Sequence, residues 1–352
     1  MRKIAGILLT VIMMVTSCGL LLTGCGMRTQ DVASSSEKNS NDKIQIGVSF
    51  DSFIIERWQK DRDVFVSTAK ELGAEVNVQN ANGDVEEQKK QIEYLVNKGV
   101  DAIVIVCIDS DSLSDVVKKA KEKGIKVISY DRLIHNADTD LYISFDNKMV
   151  GTLMGRTIGE DGTIKNVVMI GGSSTDSNVD MVEEGFLTEM RTHSKTVIDS
   201  THLDGWKAEL GSTYVEEHPD IISKADAIMC GNDDIATHVI RSLAVSRKAG
   251  KIMVVGQDAD LAACQHIVEG TQKMTVYKPV EKLASEAARC AIAMAKGETI
   301  DSSHINDGSY DIPYIAINPI KVTKANIDSV IIDGGFHLRE DVYLNVTEPE
   351  EE

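Results

Sequence analysis

The run AIVIVCI, residues 102–108, puts no polar side chain on either face of an extended chain. A strand with one wet face alternates apolar and polar residues. An unbroken run belongs to a strand covered on both faces, as in a parallel sheet between two helix layers. The flanking segments supply those layers. Upstream, IQIGVSF (44–50) and AEVNVQN (74–80) read as strands. A helix to about Leu72 follows the first, and one with Ile92, Leu95 and Val96 on its apolar face follows the second. Downstream, a helix near 112–123 and IKVISYD (125–131) complete four β/α repeats. The rhythm resumes with YISF (142–145), a helix to about 160, and NVVMIGG (166–172). Then come KTVIDST (195–201), a helix from Trp206, AIMC (227–230), a helix near 234–248, KIMVVGQ (251–257) and KMTVYK (273–278). Two runs of alternating units predict an α/β protein with two doubly wound parallel-sheet lobes. From residue 298 the pattern is irregular, with PYIAIN as a short strand.

The amino terminus has a different character. Arg2 and Lys3 precede an almost wholly apolar run from Ile4 to Leu22, the layout of an export signal. LLTGCG then sets Cys25 behind a Leu-Thr-Gly triplet, which resembles the lipobox of bacterial lipoproteins. In that family the cysteine becomes the first mature residue and carries lipid; Cys18, in VTSC, is a second candidate. Residues 26–43 are polar and free of apolar periodicity, so a flexible tether is expected. These features predict a chain exported and anchored by lipid to the outer face of the cell membrane.

The chain has 37 basic and 55 acidic residues, a net charge of −18. Without residues 1–25, 35 basic face 55 acidic and the net charge is −20. Nucleic acid and anionic lipid surfaces require basic patches, so neither is an expected partner. Roughly 310 residues beyond the tether exceed one compact core and suit two domains. Cys107, Cys230, Cys264 and Cys290 are widely spaced with no C-x-x-C pair; buried free thiols are expected, and a disulfide stays open at this level.

Ligands in open α/β sheets bind beyond the carboxyl ends of the strands. The residues there are Asp51, Arg57 and Trp58 after the first strand, and Asp131 with Arg132 after the fourth. In the second run they are Asp176 and Asn178, then Asp204 and Trp206, Asn232 with Asp233, Asp258, and Lys278. Each alone has an ordinary explanation: Asp and Asn at these points cap helices, and Arg near Asp is a surface pair. Trp58, one of two tryptophans, sits in so charged a run, ERWQKDRD (56–63), that core packing is a poor account of it. Together the set suits a small, neutral, hydroxyl-rich molecule. Indole faces cover the C–H faces of a sugar ring, worth roughly 0.5–1.5 kcal/mol beyond buried area. Charged groups bond its hydroxyls at about 1.5–3 kcal/mol each.

Longer words in the sequence carry a resemblance. ERWQKDRDVFV (56–66), VQNANGDVEEQ (78–88), YDRLI (130–134), DLYISFDN (140–147), DGW (204–206), GQDADLA (256–262) and GTQKMTVYKP (270–279) resemble the D-xylose-binding proteins of bacterial ABC sugar importers. That family has the type I periplasmic-binding fold, and the likeness spans roughly residues 43–337. It implies sugar ligands at Arg57, Trp58, Asp131, Arg132, Asp176, Asn178, Trp206, Asn232, Asp258 and Lys278, with no cofactor and no metal. It also implies lobes of 44–146 plus about 279–315 and 147–278 plus about 316–340; the EPEEE end makes 341–352 an acidic tail. Three hinge crossings are expected, near Asp146–Met149, near Tyr277–Pro279 and within 310–320. The expected partners are D-xylose or a similar monosaccharide and an ABC permease, with the binding protein a monomer.

Two rival readings differ in class. A catalytic site would require acid–base pairs such as Asp131 with Asp176. The chain has no G-x-G-x-x-G after the first strand, no Walker loop, no G-x-S-x-G and no H-E-x-x-H. A surface sensor would share the same pocket and anchor while signalling to a membrane histidine kinase. A single sequence leaves that alternative open.

Overall fold

The structure is a computed structural model that describes residues 43–346. The segment bearing Cys18 and Cys25, the tether up to residue 42 and residues 347–352 lie outside the described residues. In the first lobe the elements are β1 (Gln45–Phe50), α1 (Arg57–Glu71), β2 (Glu75–Asn80), α2 (Val85–Lys98), β3 (Ala102–Ile105), α3 (Ser114–Glu122), β4 (Lys126–Tyr130) and β5 (Leu141–Phe145). The chain crosses at Asp146–Asn147 into α4 (Asn147–Gly159), β6 (Asn166–Gly171), α5 (Ser177–Thr192) and β7 (Thr196–His202). The second lobe continues with α6 (Glu209–Glu217), α7 (Pro219–Ile222), β8 (Ala227–Cys230), α8 (Asp233–Val245), β9 (Met253–Val255), α9 (Leu261–Glu269) and β10 (Thr275–Tyr277). It crosses back into α10 (Val280–Ala295), β11 (Ser303–Asn306) and β12 (Asp311–Ile317), then crosses again into β13 (Ile320–Val322) and α11 (Arg339–Val342).

The first sheet has the order β11-β12-β5-β4-β3-β1-β2, parallel except for the β11 edge. The second has the order β7-β6-β8-β9, wholly parallel, and β10 pairs antiparallel with β13 beside it. The strand order reverses at β1/β3 in one sheet and at β6/β8 in the other, and crevices form at such switch points.

The 102–108 run behaves as its composition requires. Ala102, Val104 and Val106 enter the core shared with α1 and α10, while Ile103, Ile105 and Cys107 enter the opposite core with α2 and α3. The ladder stops sooner than the apolar run because side chains take over its bonds. Gln88, fully buried, donates to the Val106 carbonyl (2.8 Å) and accepts from Ile108 N (3.0 Å). All four described cysteines are buried free thiols.

The tail was expected to begin at 341, but Val342 and Tyr343 are buried against Ile327 and Ile331. Two apolar residues that close a core keep the chain packed past that point. The strand expected over PYIAIN begins earlier, at Asp311, and pairs in parallel with β5.

Helices α4 and α5 pack backbone to backbone. A Cβ on Gly151 would stand 1.8 Å from the Val182 carbonyl oxygen, and one on Gly185 would stand 2.1 Å from that of Lys148. Replacing a mid-helix glycine by alanine ordinarily stabilises by about 0.5–1 kcal/mol. Here the sign reverses: Gly151→Ala is expected to lower stability by about 1–3 kcal/mol through overpacking. Urea denaturation of both proteins measures it, and a gain in midpoint would refute the close crossing.

Candidate functional site

Arg57 begins α1, and its helical neighbours decide where its charge goes. Trp58, Asp61, Phe65 and Ala69 form the buried stripe of that helix. Asp61, one turn on, takes Arg57 Nε at 3.2 Å and Nη2 at 3.1 Å, while Tyr130 donates its hydroxyl to the same carboxylate. The remaining arm, Nη1, reaches Asp131 at 2.8 Å. The guanidinium lies 4.4 Å from the Trp58 ring centroid and 5.1 Å from that of Phe145. Charge thus enters the core as a closed network, the condition under which buried ions are tolerated.

Trp58 is a core residue, which its charged context did not suggest. It is 1% exposed and belongs to the main core. The charged residues around it failed as a guide because Arg57 and Asp61 are buried with it. Its Nε1 is buried with no hydrogen-bond partner.

Arg132 joins the two lobes. Its Nη1 meets Asp51 at 2.8 Å and the Cys107 carbonyl at 2.9 Å, and its Nε meets Asp176 at 2.7 Å. Asp176 caps α5 by accepting from Asn178 N, and its other oxygen accepts from Trp206 Nε1 at 3.2 Å. Asn178 donates across the cleft to Asp131 Oδ1 at 3.0 Å and accepts from Asn147 at 2.9 Å. Lys278, at the second crossing, pairs with Asp258 at 3.1 Å. Backbone-level contacts close the rim: Ser110 N donates to the Thr175 carbonyl at 3.0 Å, and Leu133 N donates to Ser177 Oγ at 3.1 Å.

Three of these residues hold left-handed backbone without being glycine: Asp131 (φ 64°), Trp206 (φ 59°) and Asp258 (φ 98°). Such conformations cost about 1–3 kcal/mol each and persist only where surrounding bonds enforce them. The Asp131 carbonyl accepts from Tyr142 and Ser144 hydroxyls, and Asp258 N is tied to the Val276 carbonyl at 2.9 Å. Strain concentrated on one cavity wall is a mark of a functional site.

Nine of the ten sequence-selected ligands thereby come together. Arg57, Trp58, Asp131, Arg132, Asp176, Asn178, Trp206, Asp258 and Lys278 line one cavity, joined by Ile55 and Gln257. Asn232 is not on its wall; it is buried, with Oδ1 accepting from Ile235 N as the cap of α8. Asp61, Gln257 and Ile55 were missed. An Arg and an Asp four apart on a helix look the same whether buried or exposed, so Asp61 carried no usable signal.

The cavity is tight, about 20 Å³, room for one or two waters. A larger open groove of about 610 Å³ lies at the amino ends of β6 and β9, around Asp161, Lys251 and Lys324. None of the selected residues lines it.

Charge decides what the cavity suits. On its wall three carboxylates (Asp131, Asp176, Asp258) face three cations (Arg57, Arg132, Lys278), with Asp51 and Asp61 paired to the arginines behind them. Burial pushes the Asp51, Asp61 and Asp176 carboxyls up, against the attraction of the arginines. Burial also acts to raise Asp131, but Arg57, Lys278 and Arg132 outweigh it and hold it below the usual value. Each wall cation is already paired with a carboxylate, so a phosphate or carboxylate ligand finds no spare counter-charge; a neutral polyol meets acceptors and donors alike.

Fold and site together define a two-lobed solute-binding protein that encloses its ligand between facing sheet ends. Residues 46–299 match the family model described as periplasmic binding protein domain, and the chain belongs to that family. It is 41% identical to the D-xylose-binding periplasmic protein of Haemophilus influenzae, over 88% of this chain and 95% of that one. It is 40% identical to the protein of the same name from Escherichia coli, over 84% and 91%. Among solved structures it resembles an ABC transporter solute binding protein from Clostridium phytofermentans with bound β-D-glucose. That likeness has a TM-score of 0.77 and 28% identity, covering 85% of this chain and 99% of that one. The relatives are solute-binding proteins of sugar transport, not enzymes.

Proposed function

We propose that the chain captures D-xylose, or a closely similar aldopyranose, between its lobes and delivers it to an ABC permease, while Cys25 lipid holds it to the outer face of the membrane. The observation that carries the reading is the wall shared by Trp58 and Trp206, with Arg57, Arg132 and Lys278 each set against carboxylates. The 40–41% identity to D-xylose-binding proteins supports the choice of sugar. Capture works by hinge bending at Asp146–Asn147, Tyr277–Pro279 and Ile317–Ile320. A sugar ring needs more than the present space, so the lobes part to admit it and ligand contacts to both then favour closure. The protein acts as a monomer, because one chain supplies the whole cavity.

The test is a titration of residues 26–352 with D-xylose, D-ribose and D-glucose, followed by tryptophan fluorescence and calorimetry. Both indoles line the cavity, so xylose is expected to change the emission saturably at micromolar concentration or below. A flat response from folded protein in both measurements would end the xylose assignment.

A further inference from the structure

We propose that Gln257 is a specificity-determining residue, accepting a hydrogen bond from a single hydroxyl of the bound sugar; this rests on the sugar-binding reading above. Gln257 follows β9 in GQDADLA, is 4% exposed, and lines both the central cavity and a smaller one beside it. Its Nε2 donates to the Gly231 carbonyl. A carbonyl oxygen only accepts, so chemistry fixes which arm of the carboxamide faces Gly231. The other arm, Oε1, is buried with no donor. Buried acceptors are nearly always paired, and an orphan on a cavity wall calls for a partner that enters the cavity.

The carboxylates around it are already set in ion pairs. Asp258 holds Lys278, Asp131 holds Arg57 and Asn178, and Asp176 holds Arg132 and Trp206. Gln257 Oε1 is a neutral acceptor left over, so the group it reads must bring a proton: a hydroxyl, not a carboxylate or phosphate oxygen. Behind it, the smaller cavity holds about 10 Å³, enough for no more than one water-sized group. Its wall is close because Gly172 has no side chain: a Cβ there would stand 2.2 Å from the Trp206 ring. The sugar carbon facing Gln257 therefore carries a bare hydroxyl, and a carbon branch at that carbon meets glycine backbone and indole.

The experiment is a cycle on residues 26–352, crossing Gln257→Met with the monodeoxy analogues of D-xylose and reading each Kd by calorimetry. Gln257→Met is expected to weaken D-xylose about tenfold. A single deoxy analogue, weakened in the parent protein, should then lose nothing more in the variant. An equal further loss for every analogue, or no loss at all, overturns the proposal. A crystal structure of the unaltered protein with D-xylose tests it without any substitution. It should place a single sugar hydroxyl within about 3.2 Å of Gln257 Oε1, and none within reach overturns it. Saturable xylose binding without coupling refutes Gln257 alone; no sugar binding by the parent protein refutes both readings.

Discussion

Asp131→Ala is expected to lower folding stability by about 3–5 kcal/mol and to abolish saturable xylose binding. The carboxylate is 3% exposed and is shared by Arg57 Nη1 at 2.8 Å and Asn178 Nδ2 at 3.0 Å. A well-formed buried pair contributes little net stability, whereas removing one partner strands a buried charge at about 3–5 kcal/mol. Here Arg57 keeps Asp61, but its buried Nη1 arm loses its carboxylate and Asn178 Nδ2 loses its acceptor. Alanine adds a smaller second penalty, since position 131 has φ 64° and aspartate or asparagine, whose short polar side chains bond locally, tolerate that backbone better than alanine does. Asp131→Asn separates the two causes: asparagine tolerates that backbone, so only the charge is lost. The ranking expected in urea denaturation is parent, then asparagine, then alanine. Because the Asp131 carboxyl is held below its usual value, its stabilisation is present above pH 4 or so and fades as pH falls through the lowered value. An alanine variant as stable as the parent at pH 7 would remove Asp131 from the centre of the network.

The fold was readable because its signals are local. Runs such as AIVIVCI, and the strand-helix alternation around them, mark a covered parallel sheet wherever they occur. The candidate site was readable for a related reason: once the strands are known, the residues at their carboxyl ends are known too. What escaped depends on contacts between distant segments. Tyr130 donating to Asp61, 69 residues away, explains why a charged helix face is buried, and no spacing rule contains that contact. Trp58 was read against its charged neighbours for the same reason. Asn232 shows how a polar residue at a strand end can also cap the helix that follows, a use that spacing does not distinguish from a ligand contact. Gln257 was quoted within a motif and passed over, because an unspent acceptor becomes visible only when its other arm is seen bound to Gly231.

Arg132→Met is expected to cost about 3–5 kcal/mol at pH 7.5 and less at pH 4.5. The variant leaves Asp51 and Asp176 facing a buried thioether, one from each lobe. Even beside the arginine, burial keeps both carboxyls above the ordinary value; without it they rise further. For an acid whose folded pKa is raised, stability is fully present below the unfolded value, near 4, and is lost as pH rises through the folded value. The penalty therefore grows with pH, as that of removing Asp131 does, but over a window above about pH 4 instead of below it. Methionine fills the space of the side chain, so the loss reports charge and hydrogen bonding more than a cavity. Arg132→Lys sharpens the test: an ammonium keeps the charge but cannot span Asp51, the Cys107 carbonyl and Asp176 at once. It should recover part of the stability and little of the xylose affinity. Equal penalties at the two pH values would mean that Asp51 and Asp176 find other partners. Full xylose affinity in the lysine variant would mean that closure does not depend on the arginine spanning both lobes.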